Sequence, residues 1–433
     1  HTNQPKMLEV VIMHEVAHNW FYGMLGFNER RYPFLDEGIN TFSEIRYMNA
    51  KYPNLKLYKG YGITEGLARI AGMEHMEFKD QHEMLYLLKA RQNSDQPTNT
   101  PSEDFTMTNY GAIPYSKTGL AFHHLKAYLG EDTFNKVMRG FFQQWKFKHP
   151  YPQDLQKAFD AHTHRNLDWF FGPVLQSSHK IDYKIKQYKD GRLLVKNRED
   201  IAAPLIISGF KDGAKVSSTW HEGFSGERWL DVSEKEADKY MIDPEGKMLE
   251  LYRHNNTIRT KGLFKKTEPL SVTFLGLINN PNLTQIHYLP SLGWNYYDKT
   301  MLGITLYDAI LPPDRFDYFL TPLYSTEKSK FSGTGEVALN FYPGESLSKI
   351  RLEASGKRFA YSGDHRRSFE QLRTRIEMTF KKPEARSRIK NTLSYAATYA
   401  SDLNDILLKN KNAGHQLYHK LSLTHDHRQK SIN

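Results

Sequence analysis

The chain has 433 residues, a formal net charge of +10 and no cysteine. That length exceeds one ordinary domain and calls for about two or three, while the missing cysteines exclude a disulfide framework, thiolate metal sites and a cysteine nucleophile. Lysines and arginines are interleaved with acids and not clustered, so no nucleic-acid partner is expected; no apolar run reaches the ~18 residues of a membrane helix; and the 13% aromatic content favours β-rich structure.

The chain opens on His1 within a few residues of a predicted helix and reads as a fragment whose N-terminal portion, with any leader, is missing. "PKMLEVVIMHEVAHNWFYGMLG" has Pro5 near its start and apolar residues on nearly all faces, which predicts a buried helix closed by Gly23 or Gly26, with Asn19 and Trp20 as packing residues. "DEGINTFSEIRYMNAKY", "GITEGLARIAGMEHMEF" and "YSKTGLAFHHLKAYLG" are further helices; "NSDQPTNTPSED" is a loop; "EDTFNKVMRGFFQQWKF" and "QDLQKAFDAH" continue the helical series. The texture changes near residue 180. "KIDYKIKQYKDGRLLVKN" alternates about an Asp-Gly turn, a hairpin signal, and "APLIISGFKDGAKVSSTWH" repeats it, so a small β-sandwich is predicted from residue 178. Beyond about residue 260 the strands lengthen. "LRTRIEMTF" sets Leu372, Thr374, Ile376, Met378 and Phe380 on one face and Arg373, Arg375, Glu377 and Thr379 on the other. Alternation over about ten residues suits a barrel wall, and soluble sheets alternate in the same way.

The fold class expected is therefore multidomain α and β: a helical part over 1–177, a β-sandwich-like part over 178–260 and an antiparallel sheet or partial barrel over 261–433. A membrane-embedded sheet would turn Leu372, Ile376, Met378 and Phe380 outward and Arg373 and Arg375 to the lumen. A soluble sandwich would pack that apolar face against another layer.

The chemistry concentrates near the N-terminus. His14 and His18, four apart on a helix, project from one face, and zinc takes imidazole nitrogens at about 2.0–2.1 Å. Glu15 sits one step round the helix, outside that ligand pair but able to reach a water at an open coordination position as general base. Glu37 follows His18 with eighteen residues between, at the start of the next helix, and completes the three protein ligands of a catalytic zinc site. The bland alternative is a pair of core histidines. The pair His123 and His124, and His415, His419 and His425, lack paired ligand spacing and read as ordinary polar or core residues.

"VIMHEVAHNWFYGMLG…FLDEGINTF" resembles the signature of the gluzincin family of membrane alanyl aminopeptidases and leukotriene A hydrolase, which has H-E-x-x-H, eighteen residues, then Glu in N-E-G; Asp36 stands where that family usually has Asn. "NYGAIPYSKTG" and "HPYPQDLQKAFDAHTHRNLDWFF" are similar to later family segments. The resemblance implies a thermolysin-like catalytic fold and one zinc per chain. It implies Tyr115 as the oxyanion's hydrogen-bond donor, Glu44 as the acid behind a zinc-bound histidine, and Tyr110 as a tyrosine near substrate. It also implies removal of N-terminal residues from peptides, although the family's amine-binding acid lies upstream of this chain's first residue. The C-terminal third departs from the all-helical domain usual in the family and is similar to barrel-like extensions of bacterial, Bacteroidetes-type members. A cell-envelope location, in periplasm or outer membrane with membrane association through this β region, is the corresponding expectation. The rival readings are a zinc endopeptidase on the same core and an envelope barrel protein with a vestigial site.

Overall fold

The computed structural model describes residues 5–327, 329–361, 368–401 and 415–427. From Pro5 to Val174 every named element is helical: α1 (Pro5–Ala17), α2 (Pro33–Lys51), α3 (Leu57–Gly60), α4 (Glu65–Ala71), α5 (Phe78–Ala90), α6 (Met107–Tyr110), α7 (Thr118–Leu129), α8 (Glu131–Trp145) and α9 (Pro152–Asp160), with a π-helical turn over Gly111–Lys117 and another over Phe170–Val174. Proline starts α2 and α9 at their first helical positions, where its missing N–H costs nothing.

Two of these helices differ from the sequence reading. α1 ends at Ala17, not at a glycine, because the next turn widens: the N–H groups of Gly23, Met24 and Leu25 donate to the carbonyls of His18, Asn19 and Trp20, five residues back. Nor is α1 buried all round. Val10 and Ala17 are buried, but Val11 and Ile12 are 55% and 54% exposed. Asn19 and Trp20, expected to pack, are exposed on the widened turn, and the Asn19 amide donates to the Val16 carbonyl at 2.8 Å. The single helix expected across "GITEGLARIAGMEHMEF" is broken: Gly72, at φ 76°, closes α4 in the left-handed conformation. α5 restarts at Phe78, where the Asp80 carboxylate accepts the Glu77 N–H at 2.7 Å.

Strands begin at Tyr183. β1 (Tyr183–Lys189), β2 (Arg192–Asn197) and β5 (Glu227–Asp231) form one sheet in the order β1-β2-β5. β3 (Leu205–Lys211), β4 (Ala214–His221), β6 (Lys239–Ile242) and β7 (Thr257–Arg259) form a second in the order β4-β3-β6-β7. The β1–β2 and β3–β4 hairpins turn on Asp190-Gly191 and Asp212-Gly213, all four residues at positive φ, the signature of the tight hairpin turn. The sheets face each other, with the Tyr188 and Tyr240 rings 5.0 Å apart. Their core is continuous with that of the helices: Phe122, Phe170, Ile185, Val195 and Ile242 belong to one buried cluster. Polar ties cross the same junction, among them Lys180 to Asp95 at 2.8 Å, His124 Nε2 donating to the Pro204 carbonyl at 2.9 Å and Lys117 Nζ donating to the Ser177 carbonyl at 2.9 Å.

The rest of the described chain is one open sheet of nine strands: β8 (Leu270–Phe274), β9 (Thr284–Asn295), β10 (Lys299–Tyr307), β11 (Phe316–Ser325), β12 (Lys330–Phe341), β13 (Leu347–Ala360), β14 (Ser368–Phe380), β15 (Ile389–Ser401) and β16 (His415–His427). Strand order follows chain order, and every pairing is antiparallel except β8 with β9. It docks on the helices through α4, where Leu277 and Ile278 donate to the Ala71 carbonyl at 3.0 and 3.2 Å. Leu372 is 55% exposed, so among the described residues no second layer covers its face.

Candidate metal centre

α1 and α2 bring three donors to one point. His14 and His18 stand one turn apart at the C-terminal end of α1, and Glu37 lies in the first turns of α2. Glu37 Oε2 is 3.2 Å from His14 Nε2 and 3.3 Å from His18 Nε2, and all three donor atoms lie within 4.8 Å of one another. Bonds of about 2.0–2.1 Å at tetrahedral angles would separate neighbouring donors by about 3.3 Å, so the residues present fit a zinc ion. The outward nitrogens support that fit. His14 Nδ1 faces Glu44 Oε2 at 3.0 Å and His18 Nδ1 faces the Phe21 carbonyl at 3.3 Å, so acceptors behind both rings leave both Nε2 atoms aimed inward.

The electrostatics are those of a cation receptor. Burial works to lower the pKa of His14, yet Glu37 and Glu44 outweigh it and raise the value to about 9. Burial likewise opposes ionisation of Glu44, but His14 and His82 hold it below the ordinary carboxylate range. Asp36, only 2% exposed, is pushed up to about 7, first by burial and then by the Glu37 charge, and its Oδ1 accepts the Glu37 N–H at 2.8 Å. A neutral carboxyl offers one acceptor and one donor, as an amide does, which is the chemistry of the Asn usual at this position in the resembling family.

Two tyrosines close the other side. The Tyr115 ring stacks on His14 at 5.6 Å, and Tyr110 meets Tyr115 edge-on at 5.8 Å. Burial, with the Glu37 carboxylate beside it, pushes the Tyr115 hydroxyl well above the usual phenol range, so it remains a donor. Tyr115 sits in the π-helical turn Gly111–Lys117. Pro114 supplies no N–H there, and the hydroxyls of Ser116 and Thr118 donate to the carbonyls of Gly111 and Ile113, each five residues back, so the turn stays wide. This turn lies hard against α2: a Cβ on Gly38 would come within 2.2 Å of Thr118 Cγ2 and 2.8 Å of the Pro114 carbonyl oxygen. The glycine after Glu37 thus lets the two segments touch.

Of the residues singled out from sequence, His14, His18, Glu37, Glu44, Tyr110 and Tyr115 come together; Glu15 is on α1 beside His14 and is exposed. One member was missed. His82, on α5, has Nε2 3.6 Å from Glu44 Oε1 and Nδ1 3.2 Å from the Ser116 hydroxyl, linking the acid behind His14 to the turn that bears Tyr115. No spacing marks it, because α5 is remote in sequence from both partners. His123 is half-buried with its ring 4.9 Å from Phe42, and His124 is a core residue with its ring 4.7 Å from Trp169. His419 and His425 bond across β15–β16 to Tyr395 at 2.6 Å and Asn391 at 2.7 Å; the side chain of His415 lies outside the described residues.

Comparison with known proteins gives a likeness in sequence over the same part of the chain. The chain is 24% identical over 190 residues to a puromycin-sensitive aminopeptidase of Caenorhabditis elegans, covering 44% of this chain and 18% of that one. It is 22% identical over 177 residues to aminopeptidase N of Lactococcus lactis, covering 40% and 19%. It is 24% identical over 173 residues to endoplasmic reticulum aminopeptidase 2 of Homo sapiens, covering 40% and 16%. The matched stretch therefore spans under a fifth of each relative. Residues 1–173, which hold the whole donor cluster, match the Peptidase family M1 domain, and these distant aminopeptidases support that assignment.

Proposed function

We propose that this chain carries the catalytic site of a zinc-dependent aminopeptidase, which hydrolyses peptide bonds to release N-terminal residues. The observation that carries the reading is the meeting of His14 Nε2, His18 Nε2 and Glu37 Oε2 at separations suited to one tetrahedral ion. The names of the distant relatives favour the exopeptidase form over an endopeptidase on the same core.

A zinc ion held by these three residues would supply Lewis acidity toward the scissile carbonyl and acidify water. The remaining work falls to the chain. Glu15 takes the proton of the attacking water and returns it to the leaving amine. The Tyr115 hydroxyl donates to the carbonyl oxygen as negative charge develops there, a role whose loss costs ~10²–10³ in rate. Glu44 and the Phe21 carbonyl fix the tautomers of His14 and His18. Tyr110 braces Tyr115 and borders the substrate side of the cleft.

The test uses the full-length protein, metal analysis and two nitroanilide peptides, one with a free α-amine and one acetylated. The expected result is one zinc per chain and hydrolysis of the free-amine peptide alone, with Glu15→Gln keeping the zinc and losing activity by ~10² or more. Glu15→Gln activity near wild type would overturn the general-base role, and equal hydrolysis of the acetylated peptide would replace the aminopeptidase with an endopeptidase.

A further inference from the structure

The nine-stranded sheet is amphipathic in the reverse of the usual sense. Residues paired across strands share a face, and one such row runs Phe316, Leu339, Leu352, Ile376, Tyr395, Leu421 across β11 to β16. The second row beyond it on the same face, past Tyr318, Val337, Ala354, Thr374, Ala397 and His419, reads Leu320, Gly335, Gly356, Leu372, Tyr399, Leu417. Neither row carries an Asp, Glu, Lys or Arg, and both are open: Leu339 is 43%, Leu372 55%, Leu417 60% and Leu421 73% exposed.

The alternate positions on the same strands hold the charges and hydroxyls. Arg351 bonds Asp317 at 2.9 Å and Glu353 at 3.3 Å, and the hydroxyls of Ser291, Thr305 and Thr321 link in series at 2.6 and 2.9 Å. This face is the more buried one, with His287 and Ser325 fully inaccessible. A soluble sheet buries its apolar face; this one buries its polar face and leaves the leucines outside.

The exposed face also has ends. On β11 the apolar line runs from Phe316, 47% exposed, to Tyr324, 40% exposed; on β12 it runs from Phe331, 69%, to Phe341, 42%. Trp294 extends the Tyr324 rim along β9 and is 68% exposed. Those strand spans are roughly 26–33 Å at ~3.3 Å per residue. At the ~40° strand tilt of barrel walls they give a band about 20–25 Å tall between two aromatic rims.

We infer that the Leu339–Leu372–Leu421 face of the sheet is a lipid-contacting wall, and that its occupant is the acyl-chain layer of a bilayer. An apolar band, uncharged across those rows and bounded by aromatic side chains at both ends, with the Arg358–Glu370 pair one row beyond it toward the Tyr324 end, matches a layered medium with two polar boundaries. A single protein layer packed on this face would match the leucines but give no reason for aromatic rims at both strand ends. Lipid does not tolerate an unpaired strand edge, so the outer edge of β16 needs a strand to pair with it in the bilayer. This inference is independent of the peptidase reading.

The chain's lack of cysteine makes the test direct. Leu372→Cys on the apolar face and Ser355→Cys on the polar face each receive an environment-sensitive fluorophore. The labelled proteins are then reconstituted into vesicles of phosphatidylcholine and phosphatidylethanolamine with brominated acyl chains. The expected result is a blue shift at position 372 and severalfold stronger quenching there than at 355. Leu339→Cys and Thr392→Cys, on the same two faces, repeat the comparison if either first variant fails to fold. Equal quenching on both faces overturns the proposal. So does a label at 372 that lipid leaves unquenched while sedimentation shows a stable dimer, because the occupant is then a second copy.

Discussion

At the residue scale the site was legible because its chemistry is local in sequence. His14, Glu15 and His18 lie about one helical turn apart, and Glu37 lies in the first turns of the next long helix, so spacing together with the family resemblance pointed to the donors that the fold brings together. His82 was not legible, since only the fold carries α5 to Glu44. The Glu44 carboxylate accepts from His14 and lies beside His82, so its charge holds both rings. Glu44→Gln is therefore expected to leave the fold intact and weaken zinc binding by ~10–100-fold. A chelator competition titration measures this, and unchanged affinity would show that the Glu44 contact does not tune the metal.

At the element scale the informative feature is the contact between α2 and the π-helical turn. The helix following "NYGAIP" was readable from its apolar spacing, but the widened turn was not, because it depends on Pro114 and on hydroxyls reaching five residues back. Gly38 has no room for a methyl group. Gly38→Ala is expected to cost about 1–3 kcal/mol through overpacking and to lower kcat by moving Tyr115 away from Glu37. Gly66→Ala, in α4 with open space around it, should gain up to about 1 kcal/mol. Urea midpoints and kcat for the two variants separate them. Lys117, fully buried at the end of the same turn, has its pKa lowered to about 7, chiefly by burial. An unfolded chain holds that proton up to about pH 10.4. Between about pH 7 and pH 10 the unfolded state binds more protons, so Lys117 makes stability rise with pH. Lys117→Met should remove that rise: the melting-temperature difference, wild type minus variant, should increase from pH 7 to pH 9, and a constant difference would reject the linkage.

At the scale of the whole molecule the change from helix to strand near residue 180 was visible as a change of period, and the Asp-Gly turns gave both hairpins their registers. What the period could not give was sidedness. Alternation in "LRTRIEMTF" shows that one face is apolar, but a two-residue repeat reads the same whether that face is covered or open. Nor could it show that helices and sandwich share one buried cluster, because such contacts join residues far apart in the chain. The order of strands carries a consequence for biosynthesis. From β9 to β16 each strand pairs with the one made immediately before it, so strands adjacent in the chain are the ones brought together and the entropy cost of closing each connection is small. The sheet can therefore lengthen strand by strand in chain order, always presenting its newest edge to the next arrival. The sandwich cannot grow this way, since β5 must return to β2 and β6 to β3 across intervening strands; its two sheets have to wait for about fifty residues to be made before they can close.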